Sequence, residues 1–200
     1  MQGNTLIKRG TIMGALHSII SLAPLKARQR ERFIMDYQRA FMYAATKEFG
    51  RRDRYCKYTD DIIPGKSVNA CLESQGAEVY RIMIGDAPIG GVVIHTAGET
   101  AGTLDLLFVT PCAQGCGIGS AAWEAVERHH PGVVIWETTA ACFERQNLHF
   151  LVNCCGFHIV EYYNRRNPNP NASDLSPATA REEVFRFEKV FVNHNGEVCE

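Results

Sequence analysis

The most restrictive feature of this sequence is the run Gln114-Gly115-Cys116-Gly117-Ile118-Gly119-Ser120, set between an apolar stretch and an amphipathic one. Before it, residues 103–109 (TLDLLFV) read as a buried strand that Pro111 ends. After it, Ile118, Ala122, Ala125, Val126 and His129 fall on one face of a helix over 118–130, closed by Pro131-Gly132. Closely spaced glycines let the backbone take positive φ and come near a ligand. A helix that starts there turns N–H groups without internal acceptors, and its positive dipole end, toward whatever the turn holds. Such a turn suits a pyrophosphate. A tight strand-to-helix connection with no ligand would use the same residues.

The elements around the turn narrow the fold. Residues 18–22 (SIISL) read as an opening strand, and 25–49 as a long helix with Phe33, Tyr37, Phe41 and Ala44 at helical spacing. Residues 51–76 read as a connection with one short helix. Residues 77–84 and 89–96, joined by Gly85-Asp86-Ala87-Pro88, read as a β-hairpin. Beyond the glycine turn come a buried strand over 133–137, a helix over 143–154 stopped by Gly156, and strands over 158–163 and 184–192. Consecutive hairpins followed by β-α-β passages imply an α/β fold, a mixed central sheet of about six or seven strands flanked by helices. Residues 1–16 read as an N-terminal extension, 17–192 as one domain and 193–200 as a C-terminal tail.

Composition excludes several classes. Of 200 residues, 46% are hydrophobic and 22% charged, which fits a globular chain rather than a disordered one. A net charge of -1 lacks the basic excess a general nucleic-acid binder needs. No apolar run approaches a membrane span; His17 interrupts the stretch after Ile12. The eight cysteines, Cys56, Cys71, Cys112, Cys116, Cys142, Cys154, Cys155 and Cys199, lack paired metal-ligand spacing, so no metal is expected. They read as reduced thiols of a cytoplasmic protein.

Three nucleotide-binding patterns compete for the turn. A dinucleotide fingerprint would use Gly117, Gly119 and Ala122 with Glu137 as the distal acid, but the preceding strand follows hairpins. A Walker A loop needs a lysine, and none lies between Lys66 and Lys189. The third fits: Gln114-x-x-Gly117-x-Gly119 resembles the Q/R-x-x-G-x-G/A loop of the GNAT acetyltransferase superfamily. LLFVTP is similar to that family's fourth strand, and WETTAACFERQNLHFLVNCCGFHIVEYY to its fifth strand, fourth helix and Gly-Phe turn into the sixth. VFRFEKVF resembles its seventh strand, and ISLAPLKARQRERFIMDY its opening strand and first helix.

The resemblance implies a splay between the fourth and fifth strands and an acetyl-CoA site. Leu107, Phe108 and Val109 would offer backbone to pantetheine. The N–H groups of Gln114, Gly115, Cys116, Gly117, Ile118, Gly119 and Ser120 would hold the pyrophosphate, with Asn147 and Phe150 bordering the cofactor. Cys116 stands where the family commonly has a basic residue. The Val109 N–H is the implied oxyanion donor. Glu137, expected at the end of its strand, is the first candidate general base, with a structural or substrate-orienting carboxylate as the equal alternative. Asp105, further back on its strand, is the second, and there the structural reading leads. Where many members carry a tyrosine acid, this chain has Leu151, so Tyr163, Tyr162 or His149 is considered in its place. The implied activity is direct acetyl transfer to an amine of a small molecule or peptide; homodimerisation is a family expectation. The alternatives are a CoA-binding regulatory module without turnover and a cysteine-based redox or metal protein.

Overall fold

The computed structural model describes residues 19–49, 65–142, 144–170 and 183–191. The expected extension, the tail, Cys56 and Cys199 lie outside them. In order come β1 (Ile20–Pro24), α1 (Arg30–Phe49), α2 (Gly65–Glu73), β2 (Ala77–Ile84), β3 (Ala87–Ala97) and β4 (Ala101–Val109). Then follow α3 (Ile118–His129), β5 (Ile135–Ala141), α4 (Arg145–His149), β6 (His158–Tyr163) and β7 (Val184–Val190). The seven strands hydrogen-bond in the order β1-β2-β3-β4-β5-β7-β6. β4 and β5 are parallel, while β1–β2, β2–β3, β5–β7 and β6–β7 are antiparallel. The sheet is mixed and helix-flanked, as the element order implies. No described helix is long and apolar enough to cross a membrane.

Two compact units divide the chain. One takes the residues through His95 together with Asp105–Pro131; the other takes Thr96–Leu104 and the residues from Gly132 on. In the first, Ile20, Ile82, Val109, Ala113, Ile118, Ala121, Ala122 and Ala125 form one apolar cluster, which seats α3. Phe33, Ala40, Val93 and Phe108 form a second, beneath α1. α1 comes so close that a Cβ on Gly91 would sit 2.2 Å from the Phe33 ring. Asp36 and Arg81, both nearly fully buried, pair at 3.0 Å between α1 and β2. In the second unit the fully buried side chains are Trp136, Phe157 and Phe187.

Several boundaries differ from expectation for local reasons. The opening strand runs through Pro24, which an edge strand tolerates, and Ser18 is outside the described residues. The helix expected from Leu25 begins at Arg30, because the Leu25 N–H still bonds Val79 O at 2.9 Å and a 3-10 turn, Ala27–Gln29, intervenes. The strand expected over 133–137 is β5: the Val134 and Ile135 N–H groups both bond Thr100 O, and pairing with β7 carries the strand to Ala141. Glu137 is therefore inside its strand, not at its end. The helix expected over 143–154 is a short α4 followed by a π turn, Phe150–Cys154, closed by a Cys155 N–H to Phe150 O bond of 3.0 Å. β7 ends at Val190, where the Phe191 N–H turns to Val134 O.

Candidate active site

In the first unit β4 ends in a 3-10 turn, Pro111–Ala113, and the glycine run carries the chain into α3. The Gln114 side chain ties the run back, donating from Nε2 to Val109 O at 3.0 Å. Gly117 is the N-cap of α3 with φ 75°, a left-handed conformation that costs a β-carbon residue roughly 1–2 kcal/mol. No side chain caps the helix. Its earliest hydrogen bond runs from the Ala121 N–H to Gly117 O, so the N–H groups over 115–120 have no acceptor among the described residues. Ile118 is buried in the core beneath while Gly115 and Cys116 are exposed, so the turn is anchored below and open above. A Cβ on Gly115 would meet nothing within 4 Å. That open row of donors at a helix start fits an anionic phosphate group. No lysine or arginine lies between Arg81 and Arg128, so the turn and its flanking strand and helix supply no cationic side chain of their own.

The same unit joins Asp105, the second candidate base, to two residues that sequence reasoning did not find. Ser74, just after α2, places Oγ 2.9 Å from Nε2 of His95 on β3. His95 Nδ1 in turn meets Oδ2 of Asp105 on β4 in a close contact. The Ser74 hydroxyl also faces Cys71 O at 2.7 Å. Burial pushes the Asp105 carboxyl above its ordinary value, and the His95 contact partly offsets that. Burial, then the charge of Asp105, raises the nearby Cys71 thiol. The available signal was the short β3–β4 connection, which returns residue 105 beside 95.

The second unit holds the remaining candidates. Ala101, Gly102 and Thr103 pair with Ile135, Trp136 and Glu137, and the β4–β5 ladder registers no further pair. The Thr138 hydroxyl donates to Leu104 O at 2.7 Å just beyond it. Glu137 Oε1 accepts from Arg186 on β7 at 3.2 Å, and the same guanidinium serves Glu188 at 2.6 Å and Glu161 at 3.6 Å. Tyr163 is buried and its hydroxyl donates to Glu161 at 3.0 Å; burial and that bond raise its pKa, so the phenol stays protonated at neutral pH. Its neighbour Tyr162 faces the other way and is exposed, as strand alternation requires. The Tyr162 pKa is raised by its bond to Glu183. Leu151 is buried. Asn147 is exposed and donates to Glu144 at 3.0 Å, and Phe150, half-buried, opens the π turn. His149 pairs with Asn153 on the exposed face of the turn, a local contact. Cys71, Cys112, Cys116, Cys142, Cys154 and Cys155 carry free thiols, and no cluster with metal-ligand geometry occurs among the described residues.

Comparison with known proteins places this architecture. The profile of the Acetyltransferase (GNAT) family matches residues 31–157. The chain is 38% identical over 160 residues to the uncharacterized protein YrkN of Bacillus subtilis strain 168, covering 76% of this chain and 83% of that one. Its fold is similar to an acetyltransferase from Thermus thermophilus, with a TM-score of 0.58 at 15% identity over 86% of this chain and 97% of the other. It is also similar to the PaiA N-acetyltransferase of Thermoplasma acidophilum, solved in complex with coenzyme A, with a TM-score of 0.57 at 12% identity over 86% and 99%. A profile spanning more than half the chain, a relative of this identity and a shared fold agree: the chain belongs to the GNAT family of acetyltransferases.

Proposed function

We propose that this protein transfers an acetyl group from acetyl-CoA directly to an amine of a small molecule or peptide. The observation that carries this is the row of N–H groups over 115–120 at the start of α3, without acceptors among the described residues and led by the exposed Gly115 and Cys116. When bound, acetyl-CoA supplies a thioester whose carbonyl is open to attack by an unprotonated amine.

The chain's own contribution follows from its main chain. The N–H groups of the glycine run hold the pyrophosphate through fixed dipoles, which suits a protein of net charge -1. Cys116 adds no positive charge to that grip, so affinity rests on backbone geometry. Leu107, Phe108 and Val109 offer backbone groups to the pantetheine arm, and the Val109 N–H is assigned the oxyanion-donor role. Orientation of the amine against the carbonyl supplies much of the acceleration. Asn147 and Phe150 are assigned to the cofactor's border on the family resemblance. Two carboxylates compete for the acceptor's proton. One Glu137 oxygen is engaged by Arg186, whereas Asp105 is joined to a histidine that can carry a proton outward. Tyr163, protonated and donating to Glu161, is assigned the acid that meets the departing thiolate.

Calorimetry with CoA and thiol release from acetyl-CoA across spermidine, amino acids and N-terminal peptides test the reading. Expected are CoA binding and thiol release that depends on one amine class. Binding with no amine-dependent release would reduce the protein to a CoA-binding module; no binding would remove the cofactor assignment.

A further inference from the structure

We propose that Ser74, His95 and Asp105 form a proton relay that takes the ammonium proton of the acceptor and passes it to solvent. This deepens the acetyl-transfer reading and rests on it.

The three residues come from separate elements, the end of α2, β3 and β4, so no local turn motif accounts for their meeting. Both ring nitrogens of His95 are engaged, one by a hydroxyl and one by a carboxylate, which is the arrangement that orients an imidazole as a base. The hydroxyl has two acceptors to choose between. With the ring neutral, Nδ1–H points at Asp105 and the Ser74 proton points at Nε2. With the ring doubly protonated, Nε2–H donates to Ser74 Oγ and the Ser74 proton swings to Cys71 O, 2.7 Å away. Every polar atom is satisfied in both states, so loading a proton strands no group.

The step balances without any further reagent. The ammonium N–H proton goes to Ser74 Oγ as the Ser74 proton goes to His95 Nε2. The resulting imidazolium is paired with the Asp105 carboxylate, and the amine keeps its lone pair for attack. Nε2–H then gives its proton to Ser74 Oγ as the Ser74 O–H proton passes to water at that exposed residue, which restores the neutral ring. The titratable groups facing the ring and its partner are Asp105 on β4 and the Cys71 thiol on α2. Placement agrees: Asp105 lies two residues before Leu107 on the strand assigned to the cofactor, about 7 Å along it at the usual rise per residue.

A structural role for the trio, pinning α2 to the sheet, would change melting temperature and leave proton chemistry alone. The test therefore compares His95→Gln, Asp105→Asn and Ser74→Ala with wild type. It reads kcat/KM against pH by thiol release from acetyl-CoA, with spermidine and an alanine-terminated peptide as amines. For His95→Gln we expect a loss of about 10²–10³-fold at pH 7 with the KM for acetyl-CoA unchanged. That gap should narrow toward pH 10, where amines are already deprotonated in solution. In ¹⁵N-histidine spectra the neutral His95 ring should carry its proton on Nδ1, facing Asp105, with Nε2 accepting from Ser74. A folded His95→Gln protein with the wild-type pH profile, or a ring fixed as the Nε2–H tautomer from pH 5 to 9, overturns the relay while leaving acetyl transfer intact. Wild type that transfers to neither amine overturns both.

Discussion

Removing the Asp36 carboxylate should be strongly destabilising to the first unit. Asp36 accepts from Arg81 Nη1 at 3.0 Å through Oδ2 and from Arg32 Nε at 2.9 Å through Oδ1. The two arginines differ in surroundings: the Arg81 side chain is 3% exposed and the Arg32 side chain 63%. Arg81 also lies over the Phe33 ring at 5.2 Å, inside the apolar contact between α1 and the sheet. Asp36→Ala leaves that guanidinium charged, buried and without its carboxylate, which costs about 3–5 kcal/mol. Arg32→Ala removes a solvated contact worth about 0.2–1 kcal/mol. Against a total stability of about 5–15 kcal/mol, the first change is a large fraction and the second is near the limit of measurement. Urea unfolding followed by fluorescence reads both, since Trp123 sits in the first unit and Trp136 in the second, each fully buried. Replacing the pair together, Asp36→Leu with Arg81→Met, should recover most of the loss because the unpaired charge is gone. A loss below 1 kcal/mol for Asp36→Ala, or equal losses at Asp36 and Arg32, would refute the assignment of the cost to the stranded Arg81 charge.

Other consequences are equally direct. Gly117→Ala forces a β-carbon into a left-handed N-cap and should cost roughly 1–2 kcal/mol while weakening CoA binding by calorimetry; unchanged affinity would detach this turn from the cofactor. Gly102→Ala puts a Cβ 2.5 Å from the Trp136 ring and should lower stability by about 1–3 kcal/mol, read in the Trp136 fluorescence transition. The His130 pKa is lowered from 6.5 by burial, with Glu78 opposing. The folded state thus binds fewer protons than the unfolded state between the two values, and stability falls as pH drops through 6.5 toward the folded-state value. His130→Asn should flatten that part of the stability–pH curve.

How much of this was legible in the chain depended on how local each cause is. β2 and β6 span the residues expected of them, 77–84 and 158–163, because turn chemistry at their ends acts within a few positions. β5 does not: its length is set by β7, which pairs with it from Ile135↔Val190 to Ala141↔Val184 across a long separation. The glycine turn was legible since its conformation is written in residue types. Ser74, His95 and Asp105 carry no motif and meet only through the placement of α2 against two strands. Arg186 was read only as part of an alternating strand, yet it gathers Glu137, Glu161 and Glu188 once β5, β6 and β7 are in register.

That register bears on which carboxylate handles the acceptor's proton. Glu137→Gln removes one of three acceptors on Arg186, and the guanidinium keeps Glu188 at 2.6 Å. With the Glu137 side chain 46% exposed, stability should change by about 0–1 kcal/mol. Asp105→Asn removes the carboxylate that meets His95 Nδ1. On the relay assignment, the pH–rate profile moves in Asp105→Asn and keeps its shape in Glu137→Gln, whatever either change does to the maximal rate. If the profile moves in Glu137→Gln and stays in Asp105→Asn, proton transfer belongs to Glu137 and the trio in the first unit is a packing device. Because each variant keeps the size of the side chain it replaces, the comparison isolates charge from shape.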